Sequence, residues 1–156
     1  MKVDEFRKAM AEVRSIPTGS ELRLAFHAFS QEALKITAEL NGSYHTPQEM
    51  RTSMSKLTAS EIDESFVLFP PFHTDCGKNK KVGKRVFVNA GCQFQDQGGI
   101  TIGDDVFVGP QTIIATLNHD PDPDKRGGMF AKPVVICEKV WLGARVTICP
   151  GVTMLS

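Results

Sequence analysis

The sequence predicts a mainly β protein, a parallel β-helix with a helical segment before it. Between Val82 and Met154 an aliphatic or aromatic residue recurs every six positions, with one slip of two residues and one long interruption. A β-branched or small residue lies two positions before most of these markers, so both point to the same side of an extended strand. Gly or Asn often follows, as turns require. The markers are Val82, Val88, Phe94, Ile100, Ile102, Val108, Ile114, Ile136, Leu142, Ile148 and Met154.

Three such strands form one triangular coil of about 18 residues, and successive coils stack about 4.8 Å apart through parallel pairing. An antiparallel sandwich is the alternative. Its hairpin spacing would drift along the chain, whereas this register holds through three hexads on both sides of the interruption. We therefore expect three stacked coils. Their interior is predicted to contain Val88, Phe94, Ile102, Val108, Ile114, Ile136, Leu142 and Ile148.

The chain before the repeat is expected to be helical. Apolar residues recur at helical spacing in two stretches, the second of which ends near Asn41 and Gly42. Thr46, followed by a proline and then by Glu49, predicts the capped start of a third helix. Among the histidines here, we expect His27 to be packed and His45 to lie on the surface. The predicted division is a helical segment over 1–65 and a β-helix over 66–156.

Composition argues against several classes of partner. The chain has 156 residues, enough for one domain with a buried core. Its 18 Lys and Arg residues balance 18 Asp and Glu residues, which disfavours binding to nucleic acid or to an anionic membrane. It has no apolar run of membrane-spanning length, and its charged start is not a signal peptide. Four cysteines without a CxxC pair indicate free thiols in the cytoplasm, not a disulfide framework or zinc site.

The interruption of the repeat, over 116–133, is the expected active-site loop. A long insertion in so regular a pattern is usually functional. It contains His119, the only histidine between Val82 and Met154, followed by three aspartates and two cations. Imidazole is suited to act as a base near neutral pH. We therefore predict that His119 is catalytic.

Several motifs resemble those of a known family. The segments Ile102-Gly-Asp-Asp-Val-Phe-Val-Gly-Pro, Val140-Trp-Leu-Gly-Ala and Ile148-Cys-Pro-Gly-Val-Thr are similar to the hexapeptide-repeat acyltransferases. The segment Pro70-Pro-Phe-His-Thr-Asp-Cys-Gly-Lys-Asn and the pair Asn118-His119 resemble the maltose and galactoside O-acetyltransferase branch. The likeness covers roughly 66–153. It implies a left-handed coil, acetyl-CoA as co-substrate without a metal, a sugar-like acceptor, and a cytoplasmic homotrimer with active sites between neighbouring prisms.

The resemblance also implies roles for individual residues. His119 would take the acceptor proton, Asn89 would face the acceptor and this histidine, and the backbone N–H of Ala144 would stabilise the oxyanion. Trp141 and Ala144 would contact the acyl donor. Asn89 and Asp75 also suit turns on their own, and that interpretation stays open beside the functional one. The predicted acceptor-binding residues are Asp75, Asp96, Gln97 and Met129.

Two other functions are compatible with a coil of this kind. Zinc carbonic anhydrases share the left-handed coil but need three histidine ligands, and the predicted repeat supplies one. A truncated, inactive β-helix that acts as a binding or structural protein is the second alternative. Family members continue after the equivalent of Gly151-Val-Thr with further coils, so we expect C-terminal coils to be missing here and donor binding to be weakened.

Overall fold

The structure is a computed structural model that describes residues 1–13 and 15–156. Within these residues, three α-helices precede the strands: α1 (Val3–Glu12), α2 (Glu21–Gly42) and α3 (Pro47–Thr58). Thr46 caps α3 as predicted: its hydroxyl accepts from the backbone N–H of Glu49, and the Glu49 carboxylate accepts in return from the backbone N–H of Thr46. No described helix is long and apolar enough to cross a membrane.

Fourteen short strands follow within the described chain, and twelve of them form three parallel four-stranded sheets. The sheets are β1-β4-β7-β12, β2-β5-β8-β13 and β3-β6-β11-β14, and the remaining pair, β9 and β10, is an antiparallel hairpin. The strands are β1 (Val67–Leu68), β2 (Phe72–Thr74), β3 (Lys80–Val82), β4 (Phe87–Val88), β5 (Cys92–Gln95), β6 (Ile100–Ile102), β7 (Phe107–Val108), β8 (Ile113–Ala115), β9 (Leu117–His119), β10 (Met129–Ala131), β11 (Val134–Ile136), β12 (Trp141–Leu142), β13 (Thr147–Ile148) and β14 (Thr153–Met154).

The three sheets are the faces of a prism, and the chain turns at three kinds of corner. The first corner joins the β1 sheet to the β2 sheet, the second joins the β2 sheet to the β3 sheet, and the third leads into the next coil. The loop over 116–133, with its β9–β10 hairpin, is the second corner of the third coil. The predicted interruption therefore lies at one defined edge of the prism.

Four coils are present in the described chain, and the expectation of three was wrong. The segment from Val67 to Thr74 forms β1 and β2, which pair with β4 and β5 and complete a first coil. The expected 18-residue turn was also too short. Thr74 and Phe94, which are paired, are 20 positions apart, because the second corner contains two extra residues. Only the last coil has the expected length, because Ile136 pairs with Met154, 18 positions later.

The predicted interior is confirmed: all eight residues expected to point inward are buried. The same apolar core extends into the helical segment, where Leu40, Met54 and Leu57 pack with residues of the coils. A second cluster joins Phe6 of α1 to Met129 of the hairpin. The prediction for His27 was wrong, since this side chain lies on the exposed side of α2.

Candidate active site

His119 lies at the end of β9 in a small antiparallel sheet. The hairpin places His119 opposite Met129. Ile16 then pairs with the other edge of β10: its N–H donates to the Met129 carbonyl at 2.8 Å, and the Met129 N–H donates back at 3.1 Å. Ile16 and Met129 are buried, whereas His119 is exposed. The strand opposite His119, β10, is therefore paired on both of its edges, while the His119 side chain is exposed to solvent.

One of the two ring nitrogens of His119 makes a hydrogen bond. Nδ1 lies 2.8 Å from the backbone carbonyl oxygen of Arg126, across the loop. A carbonyl oxygen can only accept, so Nδ1 must carry the hydrogen of this bond. In the neutral ring Nε2 then has a free lone pair, which is the form that a general base requires.

The tip of the loop is ordered by its own acidic residues. The Asp120 carboxylate accepts from the N–H of Asp122, and the Asp122 carboxylate accepts from the N–H of Asp124 at the start of a short 3₁₀ helix, Pro123–Lys125. Asp122 also pairs with Lys125 at 3.2 Å. Over residues 1–13 and 15–156 no three His, Cys, Asp or Glu side chains gather in a group that could hold a metal ion. These aspartates therefore shape the loop around His119.

Asp96, a predicted acceptor ligand, lies inside the second corner. Its carboxylate accepts from the N–H groups of Cys76 at 2.9 Å and Gly77 at 2.8 Å, and pairs with the ammonium of Lys80 at 3.1 Å. Asp96 is 0% exposed and Lys80 2%. This arrangement argues against direct contact between Asp96 and a substrate. The sequence analysis missed Lys80, although it stands two positions before the marker Val82, where the pattern has small or apolar residues.

Asp75 and Gln97 come together beside this buried pair. The side-chain amide of Gln97 donates to the Asp75 carboxylate at 3.3 Å. Asp75 is exposed at the rim of a cleft, yet desolvation by the surrounding atoms raises its pKa, with a further contribution from the charge of Asp96. Gln97 is 7% exposed, and its carbonyl oxygen Oε1 has no hydrogen-bond partner. The cleft is lined by His73, Asp75, Gln93, Phe94, Gln95, Ile113 and Ala115.

The remaining predicted residues lie elsewhere. Asn89 follows β4 and Ala144 follows β12, so both belong to the first corner, and Trp141 in β12 is 78% exposed. The Asn89 side chain accepts from the N–H of Ala90 at 2.8 Å, a turn contact without a positive φ. The second sheet separates the first corner from the second corner. One chain therefore brings His119 close to Met129, and Asp75 close to Gln97, but leaves Asn89, Trp141 and Ala144 at another edge of the prism.

His73 is a second histidine within the coils. It lies in β2, points outward, and faces the cleft beside Asp75. The prediction that the repeat supplies one histidine was wrong, because the coils begin before Val82. Two coil histidines still fall short of the three ligands that a zinc carbonic anhydrase site needs.

Comparison with known proteins identifies the family. Galactoside O-acetyltransferase of Lactococcus lactis subsp. lactis is 33% identical over 154 residues, which cover 97% of this chain and 72% of that protein. The chain belongs to the hexapeptide-repeat acetyltransferases, in the galactoside and maltose O-acetyltransferase branch. No family model matches this acetyltransferase chain. It spans about half the length of several other curated relatives.

Solved structures of the family agree with the fold. A maltose O-acetyltransferase from Clostridium difficile superposes with a TM-score of 0.83 at 27% identity, covering 94% of this chain and 78% of that one. A Vibrio cholerae hexapeptide-repeat acetyltransferase, solved with acetyl-CoA, gives 0.76 at 29% identity, covering 98% and 80%. The predicted fold, a left-handed parallel β-helix with an N-terminal helical segment, is confirmed.

Proposed function

We propose that this acetyltransferase moves an acetyl group from acetyl-CoA to a hydroxyl of a sugar or a similar small molecule. The single observation that carries the proposal is the hydrogen bond from Nδ1 of His119 to the Arg126 carbonyl, which in the neutral ring leaves the lone pair of Nε2 free to accept a proton. The names of the similar proteins, which specify galactoside and maltose as acceptors, and the acetyl-CoA complex of one neighbour support the same reaction.

The proposed reaction is a direct transfer. Nε2 of His119 takes the proton of the acceptor hydroxyl as its oxygen attacks the thioester carbonyl carbon. The backbone N–H of Ala144 would donate to the resulting oxyanion. When the C–S bond breaks, coenzyme A leaves as a thiolate and receives the proton from the imidazolium. Asp75, Gln97 and Met129 would orient the acceptor, and Trp141 would lie along the donor.

The separation of these residues supports an assembly of several copies. His119 belongs to the second corner, whereas Asn89, Ala144 and Trp141 belong to the first corner or the sheet beside it. We place the active site where the second corner of one copy meets the first corner of the next, in a homotrimer. The apolar side chains of Phe107 and Trp141, 54% and 78% exposed, fit such a contact, because exposed apolar patches usually have partners.

We also place the protein in the cytoplasm, where acetyl-CoA is made and where thiols stay reduced. All four cysteines are free in the structure, and the exposed one, Cys149, is the most vulnerable to oxidation. We also propose that the chain consists of two units, a helical segment over 1–65 and the β-helix over 66–156. A binding or structural protein without turnover is the competing function, and the anchored imidazole favours the enzyme.

The test is transfer of labelled acetyl from acetyl-CoA to a panel of mono- and disaccharides, followed by mass spectrometry of the sugars. We expect product with at least one acceptor and none with the matched deoxy sugar. Binding of acetyl-CoA without transfer to any hydroxylated acceptor would favour the binding-protein function instead. Sedimentation of the same sample measures the oligomeric state.

A further inference from the structure

A lysine lies inside the prism, at a place where the repeat has aliphatic residues. Lys80 in β3 is in register with Ile100 in β6, which is in register with Val134 in β11, and all three side chains are buried. The Lys80 ammonium donates to the Thr74 hydroxyl at 2.8 Å and pairs with Asp96 at 3.1 Å. It also lies 5.3 Å from the ring centroid of Phe72. The buried ammonium thus has a carboxylate, a hydroxyl oxygen and an aromatic ring as neighbours.

Stability alone does not account for this pair. Removing two charges from water carries a large desolvation cost, and apolar side chains of similar volume often stabilise a core equally well or better. The same column provides the internal comparison, because Ile100 and Val134 fill the equivalent interior positions with apolar atoms. The first coil therefore keeps an ion pair where the next two coils keep aliphatic packing.

The ion pair holds a turn that carries the exposed side chain of Asp75. Asp96 accepts from the N–H groups of Cys76 and Gly77, so it fixes the backbone directly after Asp75. The residue directly after Asp96 is Gln97, whose side-chain amide donates to the Asp75 carboxylate. The position of Asp75 is therefore set twice through Asp96, once along its own backbone and once through the neighbouring side chain.

We propose that Lys80 and Asp96 are positioning residues, which set Asp75 and Gln97 in the geometry that binds the acceptor. This inference rests on the proposed function, since it assigns Asp75 and Gln97 to the acceptor side of that reaction. Lys80 holds the Asp96 carboxylate in place through their ion pair, and Asp96 holds the turn through its two backbone hydrogen bonds. Neither of the two side chains touches the substrate.

The first experiment separates positioning from stability by steady-state kinetics on the full chain. Lys80→Met keeps the length of the side chain and removes its charge. We expect the acceptor KM to rise about tenfold, the effect of one misplaced hydrogen bond, with the acetyl-CoA KM within about twofold of wild type. Ile100→Ala is the matched control: it shortens an apolar side chain of the same interior column and removes no hydrogen-bonding or charged partner of Asp96, so the acceptor KM should be unchanged.

Two further variants keep the test decisive if Lys80→Met folds poorly. Asp96→Asn retains the shape but removes the charge and one acceptor, and should raise the acceptor KM in the same way. Thr74→Val removes only one of the contacts of Lys80 and should give a smaller rise in the same direction. Equal changes in both KM values, or a loss of stability with unchanged kinetics, would overturn the proposal.

A spectroscopic measurement is independent of turnover. In protein labelled with ¹⁵N-glutamine, the side-chain amide of Gln97 reports on its bond to Asp75. We expect this signal to shift in Lys80→Met and to stay unchanged in Ile100→Ala. A shift in a protein that acetylates no acceptor would leave the positioning intact and reject the proposed function. An unmoved signal in Lys80→Met would reject the positioning.

Discussion

The second and third corners of the prism differ in what they enclose. The interior of the third corner is aliphatic in successive coils, with Val86, Val106 and Val140 all buried. The interior of the second corner encloses hydroxyl groups and charges instead, with Thr74, Lys80, Asp96, Gln97 and Thr116 buried. Both corners lie on the same continuous prism. The difference is therefore local, and it lies at the edge of the prism from which the 116–133 loop with His119 emerges.

The backbone also differs between the two corners: it is regular at the third corner and irregular at the second. The third corner repeats one turn, in which Arg85, Asp105 and Lys139 have left-handed conformations with φ of 53°, 59° and 61°. Successive turns of this kind stack on each other, as in the ion pair between Arg85 and Asp105. The second corner contains two extra residues in the first and second coils and the hairpin with His119 in the third coil. Regular turns maintain the strand register, whereas the irregular corner carries His119, the proposed general base.

Replacing the histidine at the second corner should have the largest effect. We expect His119→Ala to lower the rate of acetyl transfer by roughly 10²- to 10⁴-fold, because a general base contributes that much. Binding of acetyl-CoA, measured by calorimetry, should stay within about twofold of wild type. His27→Ala, an exposed histidine on α2, is the control and should be fully active. A fully active His119→Ala enzyme would show that the general base does not lie at the second corner.

A truncation inside the third corner should affect stability and leave the chemistry intact. Val106 is 0% exposed, and Val106→Ala removes two buried methyl groups. We expect a loss of about 2 kcal/mol in the free energy of unfolding, from the lost burial and the cavity. Urea denaturation measures this loss. The kcat at 20 °C should match wild type, and a large drop in kcat without a drop in stability would contradict the division between the corners.

Thiol reactivity tests whether the polar interior of the second corner is closed to water. Burial, aided by the charge of Asp96, raises the pKa of Cys76 to about 12, and burial raises the pKa of Cys92. Cys149 is exposed. Because the thiolate is the reactive form, iodoacetamide at pH 8 should modify Cys149 first and leave Cys76 and Cys92 unmodified until the chain unfolds. Mass spectrometry locates the label, with Cys149→Ser as the control.

The exposed ion pair between Arg85 and Asp105 at the third corner should have the smallest effect on stability. A hydrogen bond from Arg85 lowers the pKa of Asp105, so the pair stabilises the fold above the ordinary carboxylate pKa. That contribution is lost as the pH falls through the lowered value. Arg85→Ala should therefore cause a small, salt-sensitive decrease in the melting temperature at neutral pH. The difference from wild type should vanish in acid, and a difference that persists there would mean that Arg85 acts through packing.

Much of the fold could be predicted because the period of the coil appears in the sequence as apolar residues spaced six positions apart. Most inward positions are filled from a short list of aliphatic and aromatic residues, so Val108 or Ile148 could be placed without coordinates. The first coil was missed for a physical reason. Its strands β1 and β2 are flanked by prolines, and its third strand carries Lys80 at an inward position, so the pattern becomes recognisable only from Val82.

The site was predictable in part. His119 could be proposed from the sequence because a long insertion in a repeat is conspicuous. The hairpin that carries it lies within the predicted interruption over 116–133. The anchoring of Nδ1 by the Arg126 carbonyl and the pairing of Met129 with Ile16 depend on backbone groups, which leave no mark in the residue types. Lys80 and Asp96 are 16 positions apart and meet only because the coil closes on itself. The separation of Asn89 and Ala144 from His119 follows from the topology, which the motifs alone do not reveal.

The second corner has a different length in different coils, and this affects how the chain tolerates insertions. After the 116–133 loop, Leu142 pairs with Val108 in the same register that Val108 keeps with Val88. The added length is absorbed at the edge and does not reach the next coil. A single residue inserted into a strand such as β8 would instead turn inward side chains outward. The second corner is therefore where loops of new length and sequence can be introduced, while the prism below them stays as it is.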